Sequence, residues 1–272
     1  MSLNKGINFY KMEGTGNDFV ILNKKISLST EQIKLICNRH YGIGCDQLIV
    51  LESLGFNKQS NTTHTCINKD QFHNSQESNT TKIKIFNNDG SDAFSCGNGI
   101  RCVALLMKIL YAKDELKVQV IGGNLTFTRV KKMYNKISGL VYVELGDYKV
   151  IDTDDGSIVE IGNKHLIIEL DKIAHCDMAY ARHLSKKLDL NVSFIELYTS
   201  KVIALTYERG ASLTNACGSA AAAIHIAIKN KKETEILFKN SGEKVLAGGK
   251  DKAYIVADAK LVFSGKFFYR KR

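Results

Sequence analysis

Apolar positions fall into short alternating runs separated by polar, glycine-bearing turns, with a few long apolar stretches between them. Residues 7–12 alternate as a strand, pass through the turn Glu13-Gly14-Thr15-Gly16-Asn17-Asp18, and lead to a second strand over 19–22. Ser29-Thr30-Glu31-Gln32 opens a helix, with Ser29 as N-cap and Gln32 three positions on. The tight turn Gly42-Ile43-Gly44-Cys45-Asp46-Gln47 precedes a buried strand over 48–51. A half-buried strand over 82–86 ends at Asn87-Asn88-Asp89-Gly90-Ser91. Residues 100–111 are apolar almost throughout, the pattern of a helix enclosed by protein. Strands follow over 117–121, 125–130 and 139–145.

The second half repeats this scheme. Strands over 159–161 and 166–170 flank Gly162-Asn163-Lys164-His165, and a helix covers 177–188. After strands over 193–197 and 201–207, Glu208-Arg209-Gly210 leads to an alanine-rich helix through Ile228. Strands over 235–239, 252–256 and 261–269 close the chain. The reading is α/β, with two pseudo-symmetric domains and the active site in the cleft between them. Residues 1–119 with 261–272 form the N-terminal domain, and 120–260 the C-terminal one. Residues 55–81, rich in Asn, Thr, Ser, Gln and His, read as a mobile surface insertion. His64, Cys66 and His73 lie in it as polar low complexity rather than a metal site.

Length and composition change this picture little. The 272 residues are comfortable for two domains, and 44% hydrophobic with 24% charged residues is ordinary for a soluble enzyme. No apolar run is long enough to span a bilayer and the first residues lack a signal-peptide core, so a cytoplasmic enzyme without a membrane partner is expected. A net charge of +10 raises the question of nucleic acid, but the lysines are scattered rather than gathered into a stripe with aromatics, so no nucleic-acid partner is expected. The seven cysteines show no C-x-x-C and no zinc spacing, which fits reduced thiols and no metal.

Candidate chemistry lies in two matching turns, Ser95-Cys96-Gly97-Asn98-Gly99 and Ala216-Cys217-Gly218-Ser219-Ala220, each heading an apolar helix. Unpaired N–H groups and the helix dipole favour a thiolate there. The same N–H groups, at Gly97, Asn98, Gly218 and Ser219, suit a carboxylate. Two opposed thiols suit proton exchange at a carbon, one face needing a base and the other an acid. No cofactor is required by that chemistry and no cofactor motif is visible. The competing reading makes both cysteines small residues capping buried helices, and the pairing argues against it. Each asparagine by itself is an ordinary turn residue, Arg209 with Glu208 a surface ion pair, and His165 a satisfied half-buried histidine.

With these motifs in this order, the chain resembles the diaminopimelate epimerase family from Phe9 to Tyr269, apart from the polar insertion. The resemblance rests on Gly14 through Phe19, Gly42 through Gln47, Phe86 through Ser91, Cys96 through Cys102, Gly162 through His165, and Glu208-Arg209-Gly210-Ala211 through Ala216-Cys217-Gly218-Ser219. It implies cofactor-independent interconversion of LL- and meso-diaminopimelate, for lysine and peptidoglycan biosynthesis, with Cys96 and Cys217 as acid/bases. It implies Asn17, Gln47, Asn87, Asn163, Asn191, Glu208 and Arg209 as substrate ligands, backbone groups after each cysteine on the reacting carboxylate, and His165, as a supporting residue, with Glu208 orienting the substrate amino group near the reacting carbon. It also implies domains built as curved, mostly antiparallel sheets around a central helix, and a homodimer. Three residues depart from the family pattern: Lys164 for proline, Glu13 for histidine and Leu213 for an acidic residue. The alternatives are a proline, hydroxyproline or histidine racemase on the same fold, or a non-catalytic binding relative. Asn87, Asn163, Asn191 and Arg209 together suit a second amino-acid head, which a proline pocket would not use.

Overall fold

The computed structural model describes residues 6–23, 25–56, 79–210, 212–230 and 232–268. Residues 57–78 of the expected insertion, with His64, Cys66 and His73, lie outside the described residues, as do Ala211 and Tyr269. The ends of that stretch differ from the expectation: Thr80 and Thr81 begin the strand Thr80–Asn87, and Phe56 is buried edge-on to Tyr111 at 5.5 Å.

The fold is mixed α/β and sheet-dominated, and it divides into two units, Met1–Val141 with Asp258–Arg272, and Tyr142–Ala257. Residues 120–141, placed by sequence in the second domain, belong to the first unit because Leu125–Met133 pairs antiparallel with Glu115–Val120.

In the first unit Ile7–Gly14 pairs antiparallel with Asn17–Leu22, which pairs parallel with Gln47–Ser53 across helix α1 (Thr30–Cys37). Gln47–Ser53 pairs antiparallel with Thr80–Asn87, and Thr80–Asn87 pairs parallel with Glu115–Val120 across helix α2 (Gly97–Tyr111). The second unit follows the same order. Gly156–Ile161 pairs antiparallel with Asn163–Glu169, which pairs parallel with Asn191–Leu197 across helix α3 (Met178–Leu188). Asn191–Leu197 pairs antiparallel with Val202–Glu208, which pairs parallel with Thr234–Phe238 across helix α4 (Gly218–Ala227). The weak duplication in the sequence is thus a duplication of topology.

Local chemistry explains the helices. Ser29 and Gln32 form a complete capping box at α1. Asp177 caps α3 through the N–H groups of Ala179 and Tyr180. α2 and α4 are apolar nearly all round because each packs against strands of its own unit, and burying that surface drives their docking.

The two strands expected over 252–256 and 261–269 are one strand, Ala253–Phe267. No glycine or proline interrupts its middle, and Ala257 and Ala259 are buried there. Lys149–Thr153 and Lys244–Gly248 were not expected: every residue of the first is exposed, so it carries no alternation to read.

Candidate active site

The register brings the predicted residues to one end of each sheet. In the first unit Asn17 and Gln47 start two parallel strands, while Asn87 ends the antiparallel strand opposite Gln47. In the second unit Asn163 and Asn191 start the corresponding parallel strands, and Glu208 ends the strand that faces Asn191–Leu197. Cys96 is the N-cap of α2, and Cys217 that of α4. Each unit therefore offers three strand-end polar side chains and one N-cap thiol in equivalent places.

Contacts in the first unit are specific. Asn98 donates to Asn17 Oδ1 at 2.9 Å, and Gln47 donates to Asn87 Oδ1 at 2.9 Å. The Asn17 amide donates to Asp46 Oδ2 at 3.3 Å, and Asp46 N–H donates to Asp18 Oδ1 at 2.9 Å. Arg39 forks onto Asp18 at 2.7 Å and reaches Asp46 at 2.8 Å, while Lys11 pairs with Asp18 at 2.5 Å. The Arg39 and Lys11 cations hold the Asp18 carboxyl well below the usual carboxylate range despite the opposing cost of burial. Asp18, Arg39 and Asp46 were not singled out from sequence. Their joint role arises only when α1 folds back beside the two turns.

The thiols are not equivalent. Cys96 is half-buried, and its Sγ accepts from the Gly99 N–H at 3.4 Å, as expected for an N-cap cysteine. Cys217 makes no such cap bond, and burial, then the neighbouring Glu208 carboxylate, pushes its thiol up. The expectation of a thiolate favoured at both helices is therefore corrected at Cys217, where desolvation outweighs the dipole. Its sulfur lies 3.4 Å from Ser219 Oγ, and the Glu208 carboxyl is raised by burial and accepts from Thr214 Oγ1 at 2.5 Å.

In the second unit Asn163, Lys164, Asp189, Leu190, Asn191, Glu208 and Arg209 line one pocket of about 100 Å³. Arg209 N–H donates to Asn191 Oδ1 at 2.9 Å, and Arg209 Nη1 donates to Asp189 Oδ2 at 2.6 Å. Asp189 was missed: it follows α3 in the left-handed region, φ 54°, a backbone choice with no signature in the local pattern. Of the family departures, Lys164 lines this pocket, Glu13 accepts from the Gly16 N–H at 2.8 Å, and Leu213 is 45% exposed. A larger hollow of about 480 Å³ over Ile203, Leu237 and Phe238 holds none of the predicted residues.

His165 is fully buried rather than half-buried, with Nε2 3.0 Å from Ser219 Oγ and 3.5 Å from the Asn191 amide. It thus reaches the residue two after Cys217. Burial pushes its imidazole down to about 3, from an ordinary 6.5. The unfolded chain then binds this proton more readily than the folded one. The stability that neutral His165 contributes is present above about pH 6.5 and is lost as pH falls toward about 3. Urea unfolding of His165→Gln between about pH 6.5 and pH 4 should show a shallower loss of stability than the parent. Equal slopes would mean that the folded protein protonates this ring.

Among the described residues no helix is long and apolar enough to cross a membrane, and no group of three or more His, Cys, Asp or Glu side chains gathers as a metal site.

A sequence profile of the diaminopimelate epimerase family matches residues 9–151. The diaminopimelate epimerase of Pelagibacter ubique is 31% identical over 267 residues, covering 85% of this chain and 88% of the relative. That of Rickettsia akari is 30% identical over 294 residues, covering 97% and 98%. Among solved structures, a phenazine biosynthesis protein of the PhzF family from Enterococcus faecalis superimposes with a TM-score of 0.63 at 14% identity, covering 97% of this chain and 100% of the other. A hydroxyproline epimerase from Agrobacterium vitis does so with a TM-score of 0.62 at 10% identity, covering 100% and 95%. At such identities these two likenesses concern the fold alone.

Proposed function

The chain is an isomerase of the diaminopimelate epimerase family, and on that premise we propose that it interconverts LL- and meso-diaminopimelate by two-base proton transfer, without a cofactor. The observation that carries the reading is the N-cap cysteine that each unit sets beside the same end of its sheet as the polar strand ends.

The reaction needs a base on one face of the α-carbon and an acid on the other. Cys96, with its sulfur at the α2 N-terminus, serves as the base in one direction, and Cys217, held as a thiol by burial, supplies the proton. As Cys96 takes the α-hydrogen, charge spreads onto the substrate carboxylate. The N–H groups of Gly97 and Asn98 and of Gly218 and Ser219 stabilise it, each such donor being worth about 3–4 kcal/mol at oxyanion sites. In the reverse direction the thiols exchange roles. The pocket around Asn163, Asn191 and Arg209 takes the distal amino-acid head, its guanidinium suiting the carboxylate, while Glu208, next to Cys217, helps orient the amino group at the reacting carbon. The reading extends to lysine and peptidoglycan biosynthesis in the cytoplasm, by a homodimer.

Incubating the protein with LL-diaminopimelate and separating stereoisomers by chiral chromatography should show approach to an LL/meso mixture, with L-proline and L-histidine unchanged. In heavy water the newly formed stereoisomer should carry deuterium at the α-carbon. Turnover of proline alone would overturn the substrate assignment, and product free of deuterium would overturn the proton-transfer scheme.

A further inference from the structure

Arg101 lies one turn into α2, five residues after Cys96, and none of it reaches solvent. Its Nη2 donates to Thr15 Oγ1 at 2.7 Å, while Nε and Nη1 have no hydrogen-bond partner among the described residues. A helical side chain leans toward the helix N-terminus, so this guanidinium sits beneath the first turn that Cys96 caps. A β-carbon at Gly14 would lie 3.5 Å from Nη2, in ordinary contact distance, so the turn packs directly against this guanidinium. Thr15 is itself buried with φ 50°, two residues before Asn17. Arg101 thus ties α2 to the turn whose Asn17 accepts from Asn98.

A buried cation without an ion-pair partner is expensive, and burial accordingly lowers the proton affinity of this guanidinium. The titratable groups whose charge acts on it are Cys102 and Cys96 on α2, Glu13 on Ile7–Gly14 and Asp258 on Ala253–Phe267. Cys102 is a buried thiol pushed up by desolvation. Glu13 accepts from Gly16, and Asp258 is exposed and accepts from Tyr134 at 2.7 Å. Cys96, at the open end of the helix, is where negative charge would balance this cation.

We infer that Arg101 is a positioning residue of the site: it holds the Thr15 turn that presents Asn17, and its buried charge steadies negative charge at the Cys96 sulfur. The inference rests on Cys96 as a proton carrier, but it can be read without substrate. Iodoacetamide alkylation of Cys96, followed by peptide mass spectrometry between about pH 5 and pH 10, reports the thiolate directly. In Arg101→Met the alkylation midpoint should rise by about one pH unit. In Arg101→Lys, which keeps the charge but lacks the fork, the midpoint should stay put while KM for diaminopimelate rises several-fold. Thr15→Val should raise KM alone. A folded Arg101→Met protein with the parent's alkylation profile would overturn the inference. If Arg101→Met fails to fold, Arg101→Lys decides, and a raised midpoint or an unchanged KM in it would be fatal. Because alkylation needs no diaminopimelate, an inactive parent enzyme would refute the substrate assignment while this test still stood.

Discussion

Cys96→Ala and Cys217→Ala are each expected to lower epimerisation by about 10²–10⁴-fold, the usual worth of a positioned acid or base. Neither change should unfold the protein. Cys96 is half-buried, and losing its cap bond to Gly99 should cost about 1 kcal/mol. Cys217 is buried, and alanine there removes one sulfur from an otherwise apolar helix start, a loss of about the same size. Far-UV circular dichroism and a urea midpoint close to the parent's would separate loss of chemistry from loss of fold. The effects should match because proton transfer at one carbon needs both faces served in either direction. Full turnover by either variant would mean that a single base carries the reaction. Substrate should also protect Cys96 and Cys217 from a thiol reagent while leaving Cys37 and Cys176 indifferent.

Arg209→Met should lower kcat/KM for diaminopimelate by about 10²-fold, mostly through KM, as expected for an interaction made equally in ground and transition states. Magnitudes decide the role of the Asp189 contact. The Arg209–Asp189 pair is more than half exposed on both sides, and exposed pairs are worth about 0–1 kcal/mol. A hydrogen bond to a charged group contributes about 1.5–3 kcal/mol, and the planar guanidinium can make two to one carboxylate. The substrate carboxylate therefore displaces Asp189 readily, and Asp189→Asn should lower KM only slightly. Arg209→Lys should retain part of the binding but not the bidentate geometry. Steady-state kinetics on the three variants tests this ordering. An unchanged KM in Arg209→Met would place the distal carboxylate elsewhere, with Lys164 also lining the pocket.

The cysteine turns were legible because N-cap position, a following glycine and an apolar run are all local signals, and each survives as an N-cap in the fold. The family motifs carried the strand-end residues for the same reason. Less legible were groups whose meaning depends on partners distant in sequence. Arg39 bridges Asp18 and Asp46, and Asp189 meets Arg209, only once the chain has folded. Arg101 stands in a run that reads as an enclosed helix, but its contact with Thr15, distant in sequence, appears only in the fold.

By itself, the order of apolar runs, glycine turns and N-cap cysteines determined the class of fold, its duplication and the two sulfur atoms to examine. Tertiary structure alone decided that parallel crossovers set Phe19 opposite Gln47 and His165 opposite Asn191, bringing the starts of the paired strands to one end, since register is a property of paired strands. It also decided that two like cysteines differ in character. The physical reason is desolvation: a helix N-terminus offers its N–H groups to either sulfur, but only the surrounding fold settles how much water each sulfur gives up.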